Sequence, residues 1–408
     1  MAAVSIRGGD RLWVWSLYGA VLSGAGLPIY IFAPKYFADT YGVSLATLGT
    51  ILFALRLFDV VQDPVLGWFS ERIGPAKRYW TTGGAALLGL SMLGLFAVAP
   101  PAAILASVWF ALTITGLFTA FSFLTINFYA EGISRAKTLR GGHIRLAGWR
   151  ETGALAGVCA ASVLPSVLGG SDPFAIFAIG FAVLTLLAAL LMAPEWDTGP
   201  SRQAESSGVR AILGDKLSRR LLLLAFINAM PAAASSTLFL FFVESRLEAP
   251  GWEGPLLVLF FLAAALSAPP WSWLAQVYGT KRILLAAMVL AIVAFGFVLL
   301  LEAGDATAFA LICIVSGFAV GADLTLMPAL FARRLAVVSP QGGQGFGLWA
   351  FVQKLTLALS AGILLPILDA SGFASGGENP ASALTLLTLL YAGLPCALKL
   401  GAIALLVA

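Results

Sequence analysis

The stretch DPVLGWFSERIG at residues 63–74, with Lys77 and Arg78 just beyond it, returns 205 residues later as APPWSWLAQVYG at 268–279, followed by Lys281 and Arg282. Pro64 falls on Pro269, Trp68 on Trp273 and Gly74 on Gly279. Both stretches close a long apolar run and enter a basic loop, and the offset is about half of the 408 residues. A repeat of that period reads as a duplicated half chain, in which each copy is one packing unit. The competing reading, two unrelated helix ends that both stop in basic loops, must place Pro, Trp and Gly in register by chance, with a Lys-Arg pair one position out of step.

The runs around the repeat are those of a membrane protein. Hydrophobic residues make up 60% of the chain and charged residues 11%, against about 25% charged in soluble domains. Apolar blocks recur at the length that crosses roughly 30 Å of hydrocarbon. They predict spans at 12–34, 44–71, 79–99, 101–131, 144–168 and 172–193, then at 217–246, 253–277, 281–301, 305–333, 344–369 and 380–407. The runs are continuously apolar rather than alternating, which selects helices over barrel strands. The expected fold is an all-α membrane protein with twelve transmembrane helices in two pseudo-symmetric six-helix bundles. The expected division is 1–193, a polar cytoplasmic linker at 194–216, and 217–408. The first apolar run is longer than a signal-peptide core and more spans follow it, so it reads as a retained helix. The last span reaches Ala408 without a polar tail, which leaves room for a longer natural chain.

Lys and Arg set the expected orientation. Arg7 and Arg11, Arg72, Lys77 and Arg78, Arg135, Lys137 and Arg140, Arg202, Arg210 and Lys216, Lys281 and Arg282, and Arg333 and Arg334 all fall in connections on one side. The opposite connections hold Asp172, Glu244, Glu248, Glu302, Asp305 and Glu378. Both termini are therefore expected in the cytoplasm, in an inner membrane of bacterial type. The pI near 9.0 then reflects topology, and nucleic-acid binding is a poor explanation for it. Cys159, Cys313 and Cys396 sit in apolar spans without paired spacing and read as small packing residues.

Charges inside spans are expensive and mark pathways or partners. The second span carries Arg56, Asp59, Gln62 and Asp63. At 100° per residue the three charges fall within about 60° of one another, as one polar stripe. Two carboxylates one turn apart repel, so each wants a cation, a proton or a basic neighbour. The alternative is a structural ion pair of Arg56 with one acid. Lys354 lies mid-span in the eleventh helix, where it either meets the Asp pair across the two halves or takes Asp323 as a private partner. Arg150 and Glu151 enter the fifth span about two turns from its end, with snorkelling of Arg150 as the alternative. Thr119 and Ser122 share one face of the fourth span and could line a cavity or bond back to their own backbone. Lys35 and Lys399 read as snorkelling residues. Gly153-x-x-x-Gly157 reads as a close helix contact.

Residues 42–50, GVSLATLGT, and 56–68, RLFDVVQDPVLGW, closely resemble the glycoside–pentoside–hexuronide:cation symporters of the major facilitator superfamily, and the likeness continues through Arg150 and Val352-Gln353-Lys354. The resemblance implies that Asp59, Gln62, Asp63 and Thr119 serve a coupling cation, with Gln62 where the best-known sugar permease of the family has Asn. It implies that Arg150 and Lys354 line the cavity and influence coupling. It departs where that permease grips sugar with acids in its first and fourth spans, since Ser23 and Ser122 stand at those positions here, and a sugar-stacking aromatic is replaced by Ile126. The vertebrate sodium-dependent lysophospholipid carriers are also similar to this family, so an amphipathic solute is an alternative to a small polar one, with Arg150 as a partner for a negative headgroup.

The expectation is a secondary transporter: a Na⁺- or H⁺-coupled symporter working by alternating access as a monomer in the lipid bilayer. No cofactor is expected beyond the coupling ion, and no metal beyond Na⁺ at Asp59 and Asp63. The cavity is expected to draw on Ser23, Arg56, Ser122, Arg150, Glu151, Asp323 and Lys354. A membrane-embedded lipid-modifying enzyme is the first rival, but one His, His143, and no nucleophile–base pair argue against it. A channel, the second rival, has no need of duplicated halves with opposed charges.

Overall fold

A computed structural model describes residues 11–168, 172–196, 208–373 and 379–407. Arg7, Arg202 and Glu378 lie outside the described residues, as do the side chains of Lys35 and Arg56. Among the described residues the chain is helix and turn, without a strand. The helices are α1 (Leu12–Gly24), α2 (Leu27–Tyr41), α3 (Leu45–Arg72), α4 (Lys77–Phe96), α5 (Ala106–Ala136), α6 (Gly142–Val167) and α7 (Pro173–Met192). A short α8 (Gly208–Gly214) precedes α9 (Lys216–Phe241), α10 (Glu253–Tyr278), α11 (Thr280–Gly296), α12 (Ala306–Val338), α13 (Gly343–Ala370), α14 (Ala381–Thr388) and α15 (Leu394–Val407). Among the described residues eight helices are long and apolar enough to cross a membrane by length and composition alone.

These helices follow the apolar runs closely, and two of the departures have plain local causes. The first span breaks at Ala25–Gly26 into α1 and α2, because Pro28 in the first turn of the second piece has no N–H to donate to the carbonyl four residues back and its ring crowds that carbonyl. The last span is interrupted by a π turn at Leu389–Gly393. Pro395, just beyond it, has no N–H to donate to the preceding turn. The motif at 42–50 is a helix junction. Gly42 ends α2 in the left-handed region at φ 65°, which costs glycine nothing, and Ser44 caps α3 by accepting from the Thr47 amide at 3.2 Å.

Bulky apolar side chains of the first six spans form one core, among them Trp15, Phe37, Phe96 and Phe110. Phe242, Phe309 and Tyr391 anchor a second core within the last six spans. A third joins the two sets, since Ile126, Ala130 and Ile133 of α5 pack with Phe331, Phe346 and Trp349 of α12 and α13. Gly153 and Gly157 do pack tightly: a Cβ on them would stand 1.9 Å from the Ser16 carbonyl oxygen and 2.1 Å from that of Ala20, on α1. Gly317 and Gly321 of α12 play the same part against α10, where a Cβ would stand 2.3 Å from the Phe260 carbonyl oxygen and 1.9 Å from Ser267 Oγ.

The repeated stretches occupy equivalent places. Each ends a helix, α3 or α10, that crosses to the other set of six spans at the end bearing the Lys- and Arg-rich connections. There a Cβ on Gly347 of α13 would lie 2.8 Å from the Asp63 carbonyl oxygen, and one on Gly148 of α6 would lie 2.7 Å from Ser272 Oγ. Gln344 of α13 donates to Glu71 of α3 through its backbone N–H at 2.9 Å and its side-chain amide at 2.6 Å. Ser272 donates to the Ile144 carbonyl oxygen at 2.9 Å. Trp68 and Trp273 are exposed on the outer surface, the place aromatic side chains take at a membrane interface.

The two sets of spans are thus in backbone contact at the basic end. Gly347→Ala should push them apart there, because the nearest neighbours of the new methyl are backbone atoms of Asp63 and Gly67 that no rotamer change can move. Disulfide formation between cysteines placed at 71 and 344 should slow by about tenfold, a population shift of about 1.4 kcal/mol. An unchanged rate would mean that this contact does not hold the basic end shut.

A candidate cation site and a cavity beside it

Asp59 and Asp63 lie on the inner face of α3 and are 1% and 0% exposed. Their neighbour is Lys354 of α13. Its ammonium stands 3.3 Å from Asp59 Oδ2 and 3.0 Å from Asp63 Oδ2, and donates to Asp63 Oδ1 at 3.1 Å and to Ser122 Oγ at 2.9 Å. Lys354 therefore reaches across to the first six spans instead of pairing with Asp323. The Thr119 hydroxyl donates to Gln62 Oε1 at 3.0 Å, so Thr119 and Ser122 both turn toward α3. Both Asp59 oxygens, Asp63 Oδ2 and Gln62 Nε2 are buried without a hydrogen bond of normal geometry. Arg56 lies on the same helix, but its side chain is outside the described residues.

This cluster holds two carboxylates and one ammonium. Among the described side chains its formal charge is −1, and both carboxylates are buried. Removing ions from water is costly and is offset only by complete pairing. A proton on either acid, or one monovalent cation beside them, would complete it, and the carboxylate and amide oxygens are the ligands a hard cation takes.

Arg150 and Glu151 are 5% and 6% exposed, so Arg150 does not snorkel. Its Nε donates to Glu151 Oε1 at 2.9 Å, and Tyr129 donates to the same oxygen at 2.8 Å. The guanidinium also stacks 3.6 Å over the Tyr129 ring. Glu151 and Tyr129 form one wall of a cavity of about 480 Å³ whose other walls come from the last six spans. Residues Ala225 to Phe239 of α9 follow it, a rise of about 21 Å. Its lining is mostly apolar, with Trp349, Phe260, Phe261, Phe295 and Tyr391 among the rings. Ser23 is half-buried at the end of α1 and does not line this cavity. Nor do Asp59, Asp63, Ser122, Arg150 or Lys354.

Lys399 requires a correction. It is 5% exposed and does not snorkel. It donates to Asn228 Oδ1 at 2.7 Å and makes a short contact with Asp323. Asp323, Lys399 and Asn228 all face the cavity. Sequence had one clue to this pairing, an acid and a lysine each left over inside separate apolar spans. Asn228 and Tyr129, being single uncharged polar residues, have no signature of their own in the sequence. Cys313 and Cys396 also line the space as free thiols.

Two packed sets of apolar helices, a polar cluster shared between them and a cavity beside it make up a membrane protein of the major facilitator fold. The chain belongs to the MFS/sugar transport protein family, whose description fits residues 16–408. It is similar to the raffinose permease of Escherichia coli, 25% identical over 198 residues, covering 47% of this chain and 44% of the permease. The matched stretches span less than half the length of the curated relatives. Among solved structures, a bacterial homologue of the iron transporter ferroportin in an outward-facing state superposes with a TM-score of 0.72 at 15% identity, over 98% of this chain and 99% of the other. The E. coli fucose:proton symporter superposes with a TM-score of 0.67 at 14% identity, over 96% and 98%. At those identities the two structures speak for the fold alone.

Proposed function

We propose that this protein is a cation-coupled symporter, in which Na⁺ or H⁺ at Asp59 and Asp63 drives uptake of a small polar or amphipathic solute by alternating access. The observation that carries this reading is the single Lys354 ammonium shared by two buried carboxylates of the opposite bundle. Among the described side chains the empty carrier then holds one carboxylate more than it has cations, and the coupling ion neutralises it. Asp59, with no hydrogen bond to either oxygen, is the acid that receives the ion, beside Gln62 and Thr119. Asp63 keeps Lys354. The bundles 1–193 and 217–408 rock about this point, with 194–216 as the linker between them. Contact at the basic end and the positive-inside rule support a carrier open to the outside, in a bacterial inner membrane with both termini cytoplasmic, acting as a monomer. The apolar lining of the cavity supports an amphipathic over a highly hydroxylated solute.

Thermal unfolding of the purified protein tests the ion. A ligand that binds only the native state raises its apparent stability by mass action. Na⁺ at constant ionic strength, or acidification if the ion is H⁺, should raise the unfolding midpoint of the wild type and not that of Asp59→Asn. A response that is identical in the two proteins would remove Asp59 from the site.

A further inference from the structure

We infer that the cavity beside α9, α12 and α15 is built for a lipophilic organic cation, whose charged nitrogen faces Asp323 and Glu151 and whose apolar body lies against the aromatic wall. The inference rests on taking this cavity as the solute site, and it names the class of solute. Three acidic or basic side chains line the space: Glu151, Asp323 and Lys399. Arg150 pairs with Glu151 from behind the wall at 2.9 Å and does not line the space, so the groups presented at the surface of the cavity are two carboxyl groups and one amine.

Asp323 keeps one acceptor in hand. Its Oδ2 takes Lys399, while Oδ1 is buried without a hydrogen-bond partner. Buried carboxylate oxygens are almost always paired, and an empty one beside a cavity marks the place for a donor. Lys399 has a second partner in Asn228 at 2.7 Å, so it stays anchored when a ligand cation shares the carboxylate. Phe260, Phe261, Phe295, Trp349 and Tyr391 all contribute to the lining of the same space, and aromatic rings attract cations most strongly when water is excluded. The π turn before Pro395 presents Tyr391 to the cavity, a placement an unbroken helix would alter. The volume of about 480 Å³ is that of a site for a drug-sized molecule. A sugar fits the lining poorly, because its hydroxyls need more hydrogen-bond partners than the mostly apolar walls offer.

Tetraphenylphosphonium and tetraphenylborate, nearly the same shape with opposite charge, separate charge from hydrophobicity. Equilibrium binding is measured on detergent-solubilised protein without any ion gradient, so the result is independent of coupling at Asp59 and Asp63. The wild type should bind tetraphenylphosphonium saturably, with tetraphenylborate at least tenfold weaker. The charge-balanced double variant Asp323→Asn with Lys399→Gln, which leaves no unpaired charge in the bundle, should lose at least tenfold in affinity for the cation. Phe261→Leu, which keeps an apolar wall but removes a ring, should weaken the cation and leave the anion unaffected. Equal or tighter binding of the borate, wild-type affinity in the double variant, or displacement of the phosphonium by raffinose would overturn the proposal.

Discussion

Asp63→Asn is expected to reduce ion-driven accumulation of solute in sealed vesicles to the background of vesicles without the protein, and Asp59→Asn to do the same. The two variants fail for different reasons. Without the Asp63 charge, Lys354 and Asp59 form a neutral pair, and the empty carrier no longer needs an ion to complete its buried charge. Solute movement down its own gradient then separates from the ion gradient. Without the Asp59 charge, Lys354 and Asp63 remain paired at 3.0 Å, and the group free to receive the ion is gone. Coupling is reciprocal, so a variant that loses ion-stimulated solute binding must also lose solute-stimulated ion binding by the same factor. The check is uptake driven by an imposed Na⁺ gradient and, separately, by a pH gradient. Uphill accumulation that survives both substitutions would end the symport proposal while leaving the fold and the transporter class intact.

The largest effect on stability is expected at Gly153. A side chain there meets the Ser16 backbone of α1 at 1.9 Å, and at Gly157 the Ala20 backbone at 2.1 Å. Neither obstacle is a side chain that can turn away. Overpacking of a well-filled core typically costs about 1–3 kcal/mol, and here the strain falls on two helix backbones at once. Gly153→Ala should lower the unfolding midpoint of the purified protein, and Gly153→Leu should leave no monodisperse species on size exclusion. Gly180 on α7 provides the contrast, since no atom lies within 4 Å of its virtual Cβ. Gly180→Ala should be neutral or slightly stabilising, because alanine favours helix over glycine by about 1 kcal/mol. A Gly153→Leu protein as stable as the wild type would show that α1 and α6 do not pack as described.

The Gly153 spacing, the twelve apolar runs and the repeat around Pro64 and Pro269 were all legible in the chain. Each depends on residues close together in sequence, or on a period compared with itself. Hydropathy placed most helix ends within a few residues because the bilayer imposes a minimum apolar length on every span. It did not show the break at Ala25–Gly26 or the π turn near Pro395, where a few local backbone groups decide the geometry. Asp59 and Asp63 stood out because an ionised group in an apolar span is costly wherever it points. Which cation answers such a group is a different kind of fact. Lys354 and Lys399 look alike in sequence, each a lysine inside an apolar helix, yet one crosses to α3 and the other closes on Asp323. That choice is set by which helices face each other across the bundle, and so by packing between residues up to 291 positions apart. The cavity is likewise tertiary, since its rings come from α5 as well as from the stretch α9 to α15, and its acids from both sets of six spans. Sequence alone determined that the protein lies in a membrane, is built twice over and buries charge; the tertiary structure alone decided how those charges pair and where the space for a ligand lies.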